Sequence, residues 1–273
     1  MWGRWWLTAF AGVAFLCGLA RADDVTSVAP KTTDGALFEA SSRVRFGWTE
    51  IAFRGDKPKA WDETMSPEVR ASLRVLAGLF EAKVEIGALA DSFDTFDSSD
   101  TNSFRVDVQA GINSGTWSYL LEWKLREVFQ PGYDDFLADL ETYDLKLKKR
   151  FSASLFEDVP PGLFQVSASA GYVAAIPHFF ARNFADIEIE LVQRFADGFT
   201  FTVAPKLEVS DFVDFPGDRK DAVVSLRLIP AYNFGGGVSV SVEGQATVAF
   251  STLAAKTGET WSMTPILRLQ KAF

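Results

Sequence analysis

The sequence predicts an all-β protein, a transmembrane antiparallel up-and-down β-barrel of about twelve strands. Three observations predict this fold class. Segments of roughly ten to thirteen residues alternate apolar and polar side chains, tight glycine turns alternate with longer polar connections, and an apolar export signal opens the chain. A period of two gives each strand one apolar and one polar face, and strands of this length cross a bilayer when tilted. A soluble β-sandwich would bury the same apolar faces between two sheets, but it explains neither the strand lengths nor the export signal.

The first 22 residues have the layout of a secretory signal peptide. Arg4 supplies an early positive charge, an apolar run continues to Ala20, and residues 20–22 (Ala-Arg-Ala) form a small-x-small cleavage site. The run is shorter than the ~20 residues that a spanning helix needs. We therefore expect residues 1–22 to be cleaved, residues 23–40 to form a periplasmic tail or small plug, and residues 41–273 to form the barrel.

Composition excludes several classes of function. Cleavage after Ala22 removes the only cysteine, Cys17, and leaves His178 as the only histidine. Thiol chemistry and His-rich metal sites are thereby excluded, and we expect no cofactor and no metal. The formal net charge is −9 and no basic block is present, which argues against a nucleic-acid partner.

The alternation recurs along the whole mature chain. In residues 80–90 the even positions are apolar, whereas Glu81, Lys83 and Glu85 occupy odd positions. An even number of strands places both chain ends on the periplasmic side. Strands are predicted at residues 41–54, 68–77, 79–91, 103–113, 116–128, 141–153, 162–174, 184–195, 199–210, 220–234, 238–250 and 260–273.

Three segments fit the pattern less cleanly. Residues 66–80 begin with a helix-like Ser-Pro-Glu start, and residues 136–151 also tolerate a helical spacing. We favour strands in both because their neighbours need hydrogen-bonding partners. In the first strand the alternation slips near Glu50, which predicts a β-bulge.

Short and long connections alternate between the strands. Tight turns are predicted at residues 113–115, 196–198 and 235–237 and around Gly78, and a looser one at 157–162. Longer polar connections are predicted at 55–68, 91–102, 128–141, 175–183, 211–219 and 251–260. Asp91, Asp94, Asp97 and Asp100 recur every third residue. That spacing does not match an EF-hand, so we interpret them as a solvated loop.

The chain ends "PILRLQKAF", an alternating segment that closes on Phe273. With this segment, the leader and the alternating strands, the chain resembles the bacterial outer-membrane β-barrel proteins. The resemblance implies a Gram-negative outer-membrane location, contact with outer-membrane lipid and lipopolysaccharide, and recognition of the C-terminal strand by the barrel-assembly machinery. One departure is Lys271, where such proteins usually carry an apolar or aromatic residue. Twelve-stranded members include channels, a phospholipase and autotransporter pores, so the strand number selects no activity.

In a barrel the polar face lines the lumen, and aromatic residues gather at the lipid interfaces. Basic residues predominate on the polar face; Lys146, Lys148 and Arg150 form a basic run, and Asp186, Glu188 and Glu190 an acidic one. The predicted lumen lining comprises Arg70, Arg74, Arg105, Lys124, Arg126, Lys146, Lys148, Arg150, Asp186, Glu188, Glu190 and Arg227. The predicted interface girdle comprises Trp117, Phe195, Phe199, Phe234 and Phe273.

Two functional interpretations of this lining stay open. Fixed charges in the lumen would select solutes, and the basic excess predicts an outer-membrane porin-like channel for small polar solutes with a preference for anions. Alternatively, opposite charges pair and plug a narrow lumen, which predicts an occluded structural or accessory barrel serving an envelope or export assembly. A surface hydrolase using His178 is the third hypothesis. No spacing ties a serine or an acid to His178, so we expect no enzyme.

Overall fold

The computed structural model describes residues 35–51, 60–93, 100–130, 136–153, 162–195, 198–253 and 257–272. These residues form twelve antiparallel strands in one closed barrel, with β1 hydrogen-bonded to β12, which confirms the predicted fold class. None of them belongs to a helix long and apolar enough to cross a membrane. The strands are β1 (Gly35–Ile51), β2 (Ala60–Ala77), β3 (Phe80–Phe93), β4 (Thr101–Ser114), β5 (Trp117–Phe129), β6 (Phe136–Ala153), β7 (Gly162–Ile176), β8 (Arg182–Arg194), β9 (Phe199–Phe212), β10 (Lys220–Gly235), β11 (Val238–Ser251) and β12 (Gly258–Ala272).

Several strands begin earlier than the sequence predicts. β2 starts at Ala60 and β6 at Phe136, so both segments with a helical alternative are strands. β1 starts at Gly35, so residues 35–40 belong to the barrel wall and not to the N-terminal tail. The signal peptide and the rest of that tail lie outside the described residues.

The β1–β2 register is continuous from Gly35 to Ile51, so the described part of β1 contains no bulge at Glu50. The described register shifts lie elsewhere, between Val128 and Phe129 and between Asn233 and Gly235. A locally broken alternation therefore did not indicate a bulge in β1. The wall tolerates polar residues there without a change in pairing.

The longer strands shorten the predicted connections. Strands of 13–18 residues at about 3.3 Å per residue, even tilted by about 40°, exceed an apolar band of about 25 Å. Their polar ends continue as paired strands beyond that band. The connection expected at 128–141 is therefore reduced to residues 130–135, and the one expected at 175–183 to Pro177–Ala181.

The two ends of the barrel differ in how strands are joined. At the end that we call the turn end, Gly78, Gly115 and Gly237 adopt φ of +59°, +61° and +80°. Glycine is the residue that reaches these values without strain. At Gly237 a Cβ atom would also lie 1.9 Å from the Gln270 carbonyl oxygen, so this turn packs directly on β12. We call the opposite end the loop end.

The two faces of the wall differ in polarity in the way a membrane barrel requires. Large apolar side chains such as Leu121 and Leu145 are 65% and 60% exposed, whereas Glu68, Ser118 and Ser167 are each 2% exposed. A soluble sandwich would bury the former and expose the latter. The apolar face is therefore the outer face, and the polar face encloses the barrel interior.

Candidate functional site

The strand register brings the predicted lining residues onto one face. Directly opposed residues of antiparallel strands share a face. Arg70 lies opposite Gly87, Gly87 opposite Arg105, and Arg105 opposite Arg126, so these residues form one row around the inner wall. The same reasoning places all twelve predicted lining residues on the inner face; their role in solute passage stays a prediction.

On β2–β4 the inner charges are paired with one another. We call Glu68, Arg70, Lys83, Glu85, Arg105 and Asp107 the paired cluster. The Glu85 carboxylate accepts hydrogen bonds from Lys83 Nζ at 2.8 Å, from Arg70 Nη1 at 3.1 Å and from Arg105 Nη2. Glu68 accepts from Arg70 Nε and lies 3.5 Å from Arg105 Nη1, and Asp107 lies 3.4 Å from Arg105 Nη2. Three carboxylates thus face three cations, and the cluster is neutral overall.

Gly87 has no side chain and so leaves space for the side chains of Arg70 and Arg105. A Cβ atom at residue 87 would lie 3.3 Å from Arg70 Cγ, 3.5 Å from Arg105 Cγ and 3.2 Å from the Val69 carbonyl oxygen. The contacts with Arg70 Cγ and the Val69 carbonyl oxygen are tighter than ordinary van der Waals contacts, so these neighbours would have to shift by a few tenths of an ångström. The missing side chain therefore lets Arg70 and Arg105 converge on Glu85 from both adjacent strands.

The pairing continues toward β5. Arg74 Nε donates to Glu81 at 2.8 Å, and Asn113 Nδ2 donates to the same carboxylate at 2.8 Å. On β5, Lys124 Nζ donates a hydrogen bond to the Glu122 carboxylate at 2.6 Å. Arg126 is the exception, because no carboxylate of the described residues lies within 4 Å of its guanidinium.

On β6–β8 the inner charges are arranged differently. We call Lys146, Lys148 and Arg150 on β6 the basic ladder, and Asp186, Glu188 and Glu190 on β8 the acidic ladder. The two are in register across β7: Lys146 faces Ser169 and then Asp186, Lys148 faces Ser167 and then Glu188, and Arg150 faces Gln165 and then Glu190. Like charges are therefore stacked along each strand and separated by a strand of neutral residues.

Two of the three residues of the acidic ladder are paired from its other side, and Glu190 has no cation of the described residues within 4 Å. Asp186 lies 3.3 Å from Lys206 Nζ on β9, and Glu188 accepts a hydrogen bond from Arg227 on β10. The basic ladder has no such partners. Within the described part of the chain, no carboxylate lies within 4 Å of the charged nitrogens of Lys146, Lys148 or Arg150, and Arg150 Nε donates to the Gln165 amide oxygen at 3.3 Å.

At the closing seam, β12, β1, β2 and β3 line a half-open polar cavity of about 150 Å³. Its walls carry both signs of charge, and Gln270 Nε2 donates to Glu39 at 3.3 Å across β1 and β12. The cavity is lined by Glu39, Ser41, Arg70, Ser72, Glu85, Arg268 and Gln270.

The described girdle residues lie at the turn end. The rings of Phe195 and Phe199 are 5.4 Å apart across the β8–β9 turn, and Phe234, which is 64% exposed, packs on Tyr232 at 4.8 Å. Trp117 begins β5, and Lys149 Nζ lies 4.6 Å from the centre of its ring. Phe273 lies outside the described residues.

Comparisons with known proteins agree with this architecture. No protein-family model matches the chain, and no curated protein matches it in sequence. An outer-membrane channel from Pseudomonas putida F1 superposes with a TM-score of 0.57 at 10% identity, over 90% of this chain and 100% of that one. The β domain of the Bordetella autotransporter BrkA gives 0.52 at 12% identity, over 88% and 100%. The chain has the fold of the bacterial outer-membrane β-barrels. At these identities the likeness concerns the fold alone.

His178 of this barrel lies in a short 3₁₀ turn, His178–Phe180, at the loop end and is exposed. No serine or carboxylate of the described residues hydrogen-bonds to its imidazole. Among the same residues, no group of three or more His, Cys, Asp or Glu side chains is close enough to hold a metal ion. Asp94 and Asp97 of the acidic connection lie outside the described residues.

Sequence reasoning missed two parts of the inner face. Glu68, the most buried carboxylate of the paired cluster, lay where the predicted connection 55–68 and the predicted strand 68–77 overlap, and it was not counted among the lining residues. Phe212 was also assigned to a connection, yet it ends β9, is 8% exposed and has the Arg219 guanidinium 4.0 Å above its ring. Arg219 in turn pairs with Asp221. The available signal was that the alternation of β2 and β9 continues into both connections.

Proposed function

We propose that this barrel is an outer-membrane channel for small polar solutes, with a preference for anions. The observation that carries the proposal is the basic ladder, three cations stacked on the inner face with no carboxylate partner among the described residues. Paired charges largely cancel at the distance of a passing solute, whereas unpaired ones do not. Beside β6 the local field in the lumen is therefore that of the basic ladder, and fixed positive charge favours anions.

The setting of the channel is part of the same proposal. The chain is exported with a cleaved leader, its C-terminal strand is recognised by the barrel-assembly machinery, and its outer face contacts outer-membrane lipid and lipopolysaccharide. The apolar outer face and the aromatic residues of the turn end support a membrane setting.

The paired cluster favours a second candidate, an occluded barrel that serves as an accessory to an envelope or export assembly. A barrel of eight strands is just filled by its own side chains, whereas sixteen or more strands leave an aqueous channel. Twelve strands lie between these cases, so the side chains decide. Arg105 reaches from β4 across β3 to Glu68 on β2, so the ion pairs of this part of the wall span three neighbouring strands.

Planar-bilayer recording separates the two candidates. Purified, heat-modifiable protein is added to one side of a lipid bilayer under a potassium chloride gradient. We expect stepwise currents and a reversal potential whose sign shows that chloride is more permeant than potassium. If the folded protein gave no stepwise currents, the channel proposal would be contradicted. If the sign of the reversal potential showed that potassium is more permeant than chloride, only the anion preference would be contradicted.

A further inference from the structure

We propose that the basic ladder and the β7 serines beside it form a binding site for small dicarboxylates. This inference rests on the proposed channel and names the solute class that its inner face recognises. It begins from Ser169, whose Oγ is buried and has no hydrogen-bond partner among the described residues, in a residue that is only 6% exposed. A buried hydroxyl without a partner is costly, so a bound group that accepts its proton is stabilised there.

Two lysines of β6 lie opposite the β7 serines. Lys146 is directly opposite Ser169, and Lys148 is directly opposite Ser167, on the same inner face. Directly opposed Cβ atoms of antiparallel strands are about 5 Å apart. The flexible lysine stems therefore bring both ammonium groups within reach of a ligand that rests on the β7 serines.

The spacing of the lysines selects the ligand. Residues two apart on a strand are separated by about 7 Å along it. A four-carbon dicarboxylate such as succinate can place one carboxylate at each ammonium group while Ser169 donates a hydrogen bond to one of them. A monocarboxylate can satisfy only one of the two cations, and each charge-assisted hydrogen bond adds affinity.

Carboxylates of the wall bound the site and limit its size. Asp144 is the next inner residue of β6 and lies 3.9 Å from Lys124, and Asp186 lies beyond Ser169 and is held by Lys206. Their negative charges border the two lysines on adjacent sides. A polyanion that extended past Lys146 toward Asp144 or Asp186 would meet a carboxylate, whereas a short dianion at the two lysines would not.

Calorimetry on the folded full-length protein in detergent tests the site without requiring conduction. Succinate is titrated into the wild type, into the double variant Lys146→Gln/Lys148→Gln and into the matched control Lys149→Gln. Lys149 belongs to the same strand but lies on the outer face beside Trp117 and Phe151. We expect the double variant to bind succinate at least about tenfold more weakly and the control to bind it as the wild type does.

A milder variant and a second ligand test the proposal even if the double variant fails to fold. Ser169→Ala removes only the hydroxyl and should weaken succinate binding several-fold, and acetate should bind the wild type far more weakly than succinate. Equal binding of acetate and succinate would overturn the proposal, as would equal weakening by Lys149→Gln or absence of succinate binding to the wild type.

The outcome is separable from that of the channel. Succinate binding that depends on Lys146 and Lys148, in a protein that gives no bilayer currents, would retain the site and reject the channel. Anion-selective currents from a protein that does not bind succinate would retain the channel and reject the site.

Discussion

The inner face of the barrel uses the same residue types in two different ways. On β2–β4, Glu85 lies among three cations, and each acid of the paired cluster is within 4 Å of a base. On β6–β8, basic and acidic residues are stacked on separate strands, with Ser167 and Ser169 between them. Register, not composition, decides which arrangement forms. We call β2–β4, with the paired cluster, the paired side, and β6–β8, with the two ladders, the separated side. The paired side stabilises the wall, and the separated side leaves charge available to solutes.

The largest expected effect comes from breaking the paired side at its centre. Glu85→Gln leaves Arg70, Lys83 and Arg105 close together without the carboxylate they share. We expect the free energy of unfolding to fall by about 3 kcal/mol, near the low end for a buried ion pair, because the three cations remain 23–35% exposed. Urea unfolding of protein folded into lipid vesicles measures this change.

Glu190→Gln is the matched control on the separated side, because no cation of the described residues lies within 4 Å of its carboxylate. We expect its unfolding free energy to stay within about 0.5 kcal/mol of the wild type. Equal losses from Glu85→Gln and Glu190→Gln would mean that the two sides do not differ in stability.

A smaller loss is expected from filling the space that the paired arginines occupy. Gly87→Val places atoms against Arg70 Cγ, Arg105 Cγ and the Val69 carbonyl oxygen, and we expect a loss of about 2 kcal/mol. Gly244→Val is the control, since the nearest atom to its added Cβ is the Leu228 carbonyl oxygen at 3.8 Å. Equal urea midpoints for these two variants would refute the role given to Gly87.

The separated side can be converted into a paired one. Ser169→Asp places a carboxylate opposite Lys146, where pairing would cancel part of the free charge. We expect the ratio of anion to cation permeability to fall roughly threefold. Thr247→Asp adds the same charge to the inner face between Ser225 and Thr260, and it should change the ratio less. A larger shift from Thr247→Asp would show that position does not matter.

The smallest effect is expected on the outer face. Lys149→Ala removes the contacts of its ammonium group with Trp117 at 4.6 Å and Phe151 at 5.0 Å. We expect a loss of about 0.5 kcal/mol in urea unfolding and no change in reversal potential. A changed reversal potential would indicate that outer-face charge reaches the permeation path.

Face membership could be read from the sequence because it is a local property. A period of two is visible within a few residues, so the twelve lining residues were placed on a common face before their neighbours were known. The ends of the strands were harder to predict from the sequence. Polar residues that continue a hairpin beyond the membrane have the composition of a loop, which is why residues 60–67 and 136–140 were assigned to connections.

Charge pairing could not be predicted because it depends on register between distant segments. Ser169 is the neighbour of Lys146 only because β6 and β7 pair in one of several possible alignments, and a shift by two residues would set Asp144 beside it. Selectivity and plugging are therefore both compatible with the sequence. The convergence of Arg70 and Arg105 over Gly87 likewise requires two registers at once.

The central claim is that the unpaired lysines of β6 set the charge preference of the lumen. The most direct test compares reversal potentials of the wild type, Lys146→Gln/Lys148→Gln and Lys149→Gln under one potassium chloride gradient. The account predicts chloride selectivity in the wild type and in Lys149→Gln, and a reversal potential displaced toward potassium in the double variant. The same reversal potential in all three proteins would contradict it.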